Sequence, residues 1–150
     1  MLVKEFAKED EDLFLKLCKD FYSSGSTLRG YSEEISKKTF LRMLDHHEDL
    51  AGYFIIRKDS SEVIGYALVT SYWCNEEGGT VLILDELYID PDDRHQGYAS
   101  SFIDWLQEEY KDKATSMTLE VLTSNVRAQN LYKKEGFTPD GFMTMTKEID

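Results

Sequence analysis

Residues 85–100 read DELYIDPDDRHQGYAS, and this stretch constrains the fold more than any other. The apolar run before and within it, Val81 to Ile89, has the character of a strand. Pro91 and the acidic residues Asp90, Asp92 and Asp93 end that strand. Arg94, Gly97 and Ala99 follow at the spacing R-x-x-G-x-A, and Ala99 to Tyr110 is amphipathic, which predicts a helix. A strand that passes through a glycine turn into a helix leaves the first-turn N–H groups pointing outward. The helix dipole favours an anion there. Gly97 allows close backbone approach, and Ala99 is too small to block it. Taken alone, the segment also fits an ordinary strand-to-helix turn. It is not a Walker loop, since no G-K-[ST] is present, and the three-glycine dinucleotide fingerprint is missing.

A second segment, residues 119–137, reads LEVLTSNVRAQNLYKKEGF. A short strand, Met117 to Leu122, is expected before Asn125. A helix then runs to Glu135, with Gly136 as its stop signal. Together the two segments resemble the Gcn5-related N-acetyltransferase (GNAT) family. The family's pyrophosphate motif, [RQ]-x-x-G-x-[GA], is met by Arg94, Gly97 and Ala99. Its later motif, N-x-x-A-x-x-[LF]-Y-x-x-x-G-F, is met by Asn125, Ala128, Leu131, Tyr132, Gly136 and Phe137. Both lie in the family's order and at its usual separation. The resemblance is strong over residues 63–137 and general over residues 1–60. Tyr98 stands where a small aliphatic residue is more usual, and Ala99 where glycine is commoner; both stay within the pattern.

Length and composition bound the alternatives. A chain of 150 residues is expected to form one domain, residues 1–150, with a sizeable core. Hydrophobic residues at 41% argue against disorder. No apolar run approaches the roughly 20 residues of a membrane span. The start, MLVKEFAKEDED, is not a signal peptide, so a cytoplasmic protein is expected. Cys18 and Cys74 lack metal-ligand spacing and read as reduced packing residues. The net charge of −12 offers no basic stripe for nucleic acid. It suits a cationic substrate drawn in by long-range attraction, although many soluble proteins are simply acidic.

Along the chain, Leu2 to Phe6 alternates like a strand. Asp10 to Tyr22 spaces Leu13, Phe14, Leu17, Cys18 and Phe21 as one helical face. Ser32 is expected to cap a second helix with Ile35, Phe40, Met43 and Leu44 inward. Strands are expected at Tyr53–Arg57, Val63–Trp73 and Val81–Ile89, and two more at Phe137–Thr138 and Phe142–Glu148. The order is β-α-α-β-β-β-α-β-α-β-β. The fold class is α/β, with a mixed, mostly antiparallel twisted sheet flanked by helices. The resemblance implies the acetyl-CoA-dependent GNAT fold, in which the fourth and fifth strands splay and the thioester end of acetyl-CoA lies in the gap.

The resemblance also implies roles. The backbone of His95, Gln96, Gly97, Tyr98, Ala99 and Ser100 would bind the pyrophosphate of acetyl-CoA, the cosubstrate, with Arg94 beginning the loop. The strand edge Leu87, Tyr88 and Ile89 would hydrogen-bond the pantetheine, and one N–H would polarise the acetyl carbonyl. Asn125 would bind the cofactor arm; it also suits a helix N-cap, and both can hold. Tyr132 stands at the general-acid position, where a phenol with pKa about 10 can protonate a departing thiolate. For the base, three carboxylates stand near the gap: Asp85, Glu86 and Glu120. Successive strand residues face opposite sides, so Asp85 and Glu86 cannot both point into the same cleft.

His46, His47 and His95 form no metal set, and no metal is expected; His46 and His47 read as solvated at a helix end. Trp73, Tyr22 and Tyr31 are read as aromatic core packing, with an acceptor-lining role as the alternative. The acceptor implied is a small-molecule primary amine, polyamine or lysine-like, with no nucleic acid and no membrane as partner. A protein N-terminus or lysine, an aminoglycoside, and a non-catalytic CoA-binding module remain alternatives. A homodimer is common in the family, and nothing in the sequence decides it.

Overall fold

Apolar runs in the middle of the chain, whose successive side chains point to opposite sides, build a sheet with two apolar faces. The computed structural model describes residues 1–45 and 48–149, so His46 and His47 lie outside the described residues. Strand β1 (Leu2–Glu5) is followed by helices α1 (Glu11–Tyr22) and α2 (Glu33–Asp45), then by strands β2 (Leu50–Ile56), β3 (Val63–Cys74) and β4 (Gly79–Ile89). Helix α3 (Tyr98–Tyr110), strand β5 (Ser116–Thr118) and helix α4 (Val126–Lys134) complete the order. The sheet runs β1-β2-β3-β4-β5, antiparallel except for the parallel β4–β5 pair.

Phe54, Tyr66, Leu68 and Tyr88 point to one face, where Phe14, Leu17, Cys18 and Phe21 of α1 and Phe40 and Met43 of α2 cover them. Tyr53, Ile55, Ala67, Val69, Leu82, Leu84 and Ile89 point to the other, where Phe102, Ile103 and Leu106 of α3 cover them. Each strand thus contributes neighbours to opposite cores, as the pleat requires. Ser32 starts α2 as expected: its Oγ accepts from the Ile35 N–H at 3.4 Å. Ile35 itself is exposed, and Ser36 takes the inward place, its Oγ 3.3 Å from the Cys18 sulfur.

Two departures from the expected strands matter for the site. The parallel ladder ends at Ile83 with Thr118, so residues 119–122 do not extend β5 as the apolar run there suggests. From Leu84 onward β4 has a neighbour on the β3 side alone among the described residues. The sheet is therefore open between β4 and the segment after β5. The second departure is C-terminal: no strand forms over 137–149 among the described residues. A strand-like pattern needs a paired edge to become a strand, and β5, the last strand of the sheet, is three residues long. Phe142, Met143 and Met145 remain exposed.

Candidate active site

The site grows from an irregularity in β4. Val69 pairs with Leu84 but Leu68 pairs with Glu86, so Asp85 has no partner and forms a β-bulge. The bulge resets the alternation. Leu84 faces α3, and a regular strand would send Glu86 the same way. Instead Glu86 enters the α1–α2 side, 8% exposed. There its Oε1 accepts from Tyr22 and its Oε2 from Tyr66, both at 2.6 Å. Simple alternation therefore does not hold through Asp85: the bulge leaves Asp85 exposed while Glu86 is sealed in the core. Burial pushes its carboxyl above the ordinary value, while the two phenols pull it back down.

Asp85 and Glu120 are brought together across the opening. Both are exposed. Solvent reaches Asp85, yet protein crowds it; that crowding, then the Glu120 carboxylate, raises its pKa. Thr144 donates to Glu120 Oε1 at 3.4 Å.

The loop after β4 is locked by its own polar groups. The Asp92 N–H donates to Asp90 Oδ1 at 3.0 Å, and the Asp90 N–H donates to the Ile64 carbonyl at 2.7 Å. Asp93 is buried and ion-paired with Arg57. Arg94 Nε donates to the Ile89 carbonyl at 2.9 Å, and its guanidinium carbon lies 5.8 Å from the centre of the Tyr88 ring. His95 and Gly97 both take left-handed backbone, at φ 63° and 83°. A Cβ at Gly97 would meet nothing within 4 Å, so its glycine is required by conformation, and the space over it is open.

Gly97 is the N-cap of α3, and no side chain caps that end. The N–H groups of Tyr98, Ala99 and Ser100 are therefore available to a ligand. Ser100 Oγ is committed elsewhere, donating to Glu135 Oε1 at 2.6 Å and tying α3 to the end of α4.

Helix α4 supplies the other wall. Asn125 Oδ1 caps it, accepting from the Ala128 N–H at 3.2 Å, while Asn125 Nδ2 donates to Ser26 Oγ at 3.4 Å. Tyr132 packs on the α3-side core, edge-on to Phe137 at 5.8 Å. Its hydroxyl has no hydrogen-bond partner among the described residues. Burial raises its pKa, with the Arg127 charge opposing, so the phenol holds its proton at neutral pH.

Arg127 is the residue that sequence reasoning passed over. Its charge acts on Tyr132 and, second to burial, depresses Arg94. One signal was available: a cation in the first turn of a helix opposes the helix dipole, and α4 has no acidic residue there.

Other expected residues fall outside this cluster. Tyr22 and Tyr31 pack on the α1–α2 core as anticipated, whereas Trp73 is 69% exposed at the far end of β3 and is not core. Cys18 and Cys74 are free thiols, the first buried and the second half-buried beside the β3–β4 turn. No metal-binding group of His, Cys, Asp and Glu occurs among the described residues. No helix among them is long and apolar enough to cross a membrane.

A family model described as the acetyltransferase (GNAT) family matches residues 13–137. No curated protein matches the chain. Solved structures do. A probable acetyltransferase is 22% identical with a TM-score of 0.83, over 100% of this chain and 99% of the other. A possible acetyltransferase from Clostridium difficile 630 is 14% identical with a TM-score of 0.85, over 99% and 97%. AAC(6')-Iy, in complex with the bisubstrate analog CoA-S-monomethyl-acetylneamine, is 16% identical with a TM-score of 0.81, over 99% and 98%. At these identities the likeness speaks for the fold.

Proposed function

We propose that this chain, which belongs to the acetyltransferase (GNAT) family, moves the acetyl group of acetyl-CoA to a primary amine of a small cationic molecule, polyamine or lysine-like. That the chain is an N-acetyltransferase follows from the family; the cosubstrate, the acceptor and the residue roles are our reading. The observation that carries it is the uncapped N-terminus of α3 behind left-handed His95 and Gly97, reached from a strand whose edge is open. These features fit a pyrophosphate with a thin arm extending from it.

In this reading the N–H groups of residues 98–100 hold the pyrophosphate, with Arg94 and Arg127 as nearby cations. The free edge of β4 at Leu87, Tyr88 and Ile89 hydrogen-bonds the pantetheine arm, and Asn125 offers its side-chain N–H₂ to the same arm. Acetyl-CoA supplies the activated acyl group. The amine nitrogen forms the new bond to the carbonyl carbon as the carbon–sulfur bond breaks. A backbone N–H on the β4 edge stabilises the oxyanion. Asp85 takes the proton that the ammonium must lose, directly or through water. Once bonded to carbon, the nitrogen releases its second proton to solvent, while Tyr132 gives its proton to the departing sulfur and regains one from solvent. No acyl-enzyme is needed: Cys18 is buried on the opposite face, and Cys74 sits at the far end of β3.

The net charge of −12 and the facing carboxylates Asp85 and Glu120 favour a cationic acceptor. An amine panel, read by thiol release from acetyl-CoA, tests this. Turnover should concentrate on polyamines and lysine-like amines. Turnover confined to neutral or acidic acceptors rejects the acceptor class. Tight acetyl-CoA binding with no turnover on any amine, peptide or aminoglycoside supports a non-catalytic module instead.

A further inference from the structure

The α1–α2 face of β4 holds a buried carboxylate for which the chemistry above has no use. Glu86 accepts one phenol hydrogen on each oxygen, from Tyr22 at the end of α1 and from Tyr66 on β3. No cation is paired with it among the described residues. The groups that face it are Tyr22 and Cys18 from α1, Tyr66 from β3 and its neighbour Asp85; from α2 only the Ser36 hydroxyl approaches, through Cys18. Hydrophobic residues of the same size would stabilise this core more simply.

What the carboxylate does is join three elements at one point. It follows the bulge directly, and so holds the peptide that turns Asp85 outward. Through Tyr22 it also holds the last residue of α1. The next segment, 23–32, carries Ser26, which accepts from Asn125 of the α4 cap. We infer that Glu86 is a positioning residue: clamped by Tyr22 and Tyr66, it sets the bulge at Asp85, and with it the open β4 edge, against the segment that leads from α1 to Asn125. Ionised Glu86 accepts both phenols. Protonated Glu86 donates from one oxygen, so one phenol must reverse its hydrogen bond, and the clamp loosens. The inference rests on the acetyltransferase reading for its effect on rate, and on the fold alone for its effect on the strand.

Tyr22→Phe keeps the ring and removes one donor. It should leave the KM for acetyl-CoA within twofold and lower kcat about tenfold. With one phenol left, Glu86 takes up a proton more readily, so the acidic limb of the kcat profile should move to higher pH. Glu86→Gln should match the loss in kcat and lack that shifted limb. Amide exchange read by NMR gives a second measure that needs no substrate: N–H groups of residues 84–88 should exchange at least tenfold faster in Tyr22→Phe, with those of β2 unchanged. Wild-type kcat, pH limb and β4 exchange in Tyr22→Phe would overturn the inference. If Glu86→Gln does not fold, Tyr22→Phe decides alone. If wild type acetylates no amine, the acceptor reading fails while exchange in β4 still judges the clamp.

Discussion

The two faces of β4 treat their polar groups in opposite ways. On the α1–α2 side Glu86 is answered by two phenols and Cys18 by Ser36, within a shell of packed aromatic rings. On the α3–α4 side the site residues stand open: the first-turn N–H groups of α3, the hydroxyl of Tyr132, the edge of β4 beyond Leu84, and two neighbouring guanidinium groups. A buried polar group left without a partner is costly, so proteins keep unanswered donors where a ligand or solvent can reach them. The contrast separates a region whose polar groups are paired within the chain from one whose donors are left to solvent or a ligand.

The hardest test of that contrast is to fill the open side. Gly97→Arg forces a side chain into left-handed backbone, a strain of about 1–2 kcal/mol, and places it over the cradle. Calorimetry should show acetyl-CoA binding lost, with the circular dichroism spectrum intact. Normal binding by a folded variant would mean that the cradle lies elsewhere.

Tyr132→Phe comes next. It removes the hydroxyl and keeps the packed ring, so kcat should fall about 10²-fold with acetyl-CoA affinity nearly unchanged. Full turnover with chemistry rate-limiting removes Tyr132 from the mechanism.

A smaller effect sharpens the choice between the facing carboxylates. Crowding and Glu120 together hold the Asp85 carboxyl above its ordinary value. Glu120→Gln removes the negative neighbour, so ionised Asp85 becomes easier to form. The acidic limb of kcat/KM should therefore move to lower pH if Asp85 accepts the proton. A limb displaced to higher pH, with a slower plateau, hands the role to Glu120.

The smallest effect is expected at the C-terminus. Residues 142–149 are exposed; their polar contacts with the rest of the chain include the Phe142 N–H donating to Asp140 Oδ1, the Thr144–Glu120 contact and an Arg29–Glu148 pair at 3.7 Å, both ends of that pair open to solvent. Exposed pairs contribute about 0–1 kcal/mol. Deleting residues 142–150 should change the thermal midpoint little; a large drop would mean that the apolar residues there are covered in solution.

Much of this molecule is legible in its sequence. Helical spacing locates α1, α2 and α3, and short apolar runs bounded by turns locate β2 to β4, because each pattern is local to its own segment. The cradle at 94–100 is equally local. A glycine at a left-handed position, a cation before it and a helix after it can be read without knowing any distant contact. Asn125 as a cap and Tyr132 on the following helix belong to the same kind of information. What the sequence leaves open depends on which strand lies beside which. The apolar run at 119–122 and the alternating stretch at 142–148 look like strands, yet ladder pairing is a property of two segments, and the parallel ladder stops at Thr118. The inward turn of Glu86 is decided in the same way. Alternation counted along β4 assumes one residue per pleat, and the bulge at Asp85 adds one that only pairing with β3 reveals. Local backbone chemistry is therefore written residue by residue, while the opening of the sheet and the facing of its carboxylates exist only once register with the neighbouring strands is set.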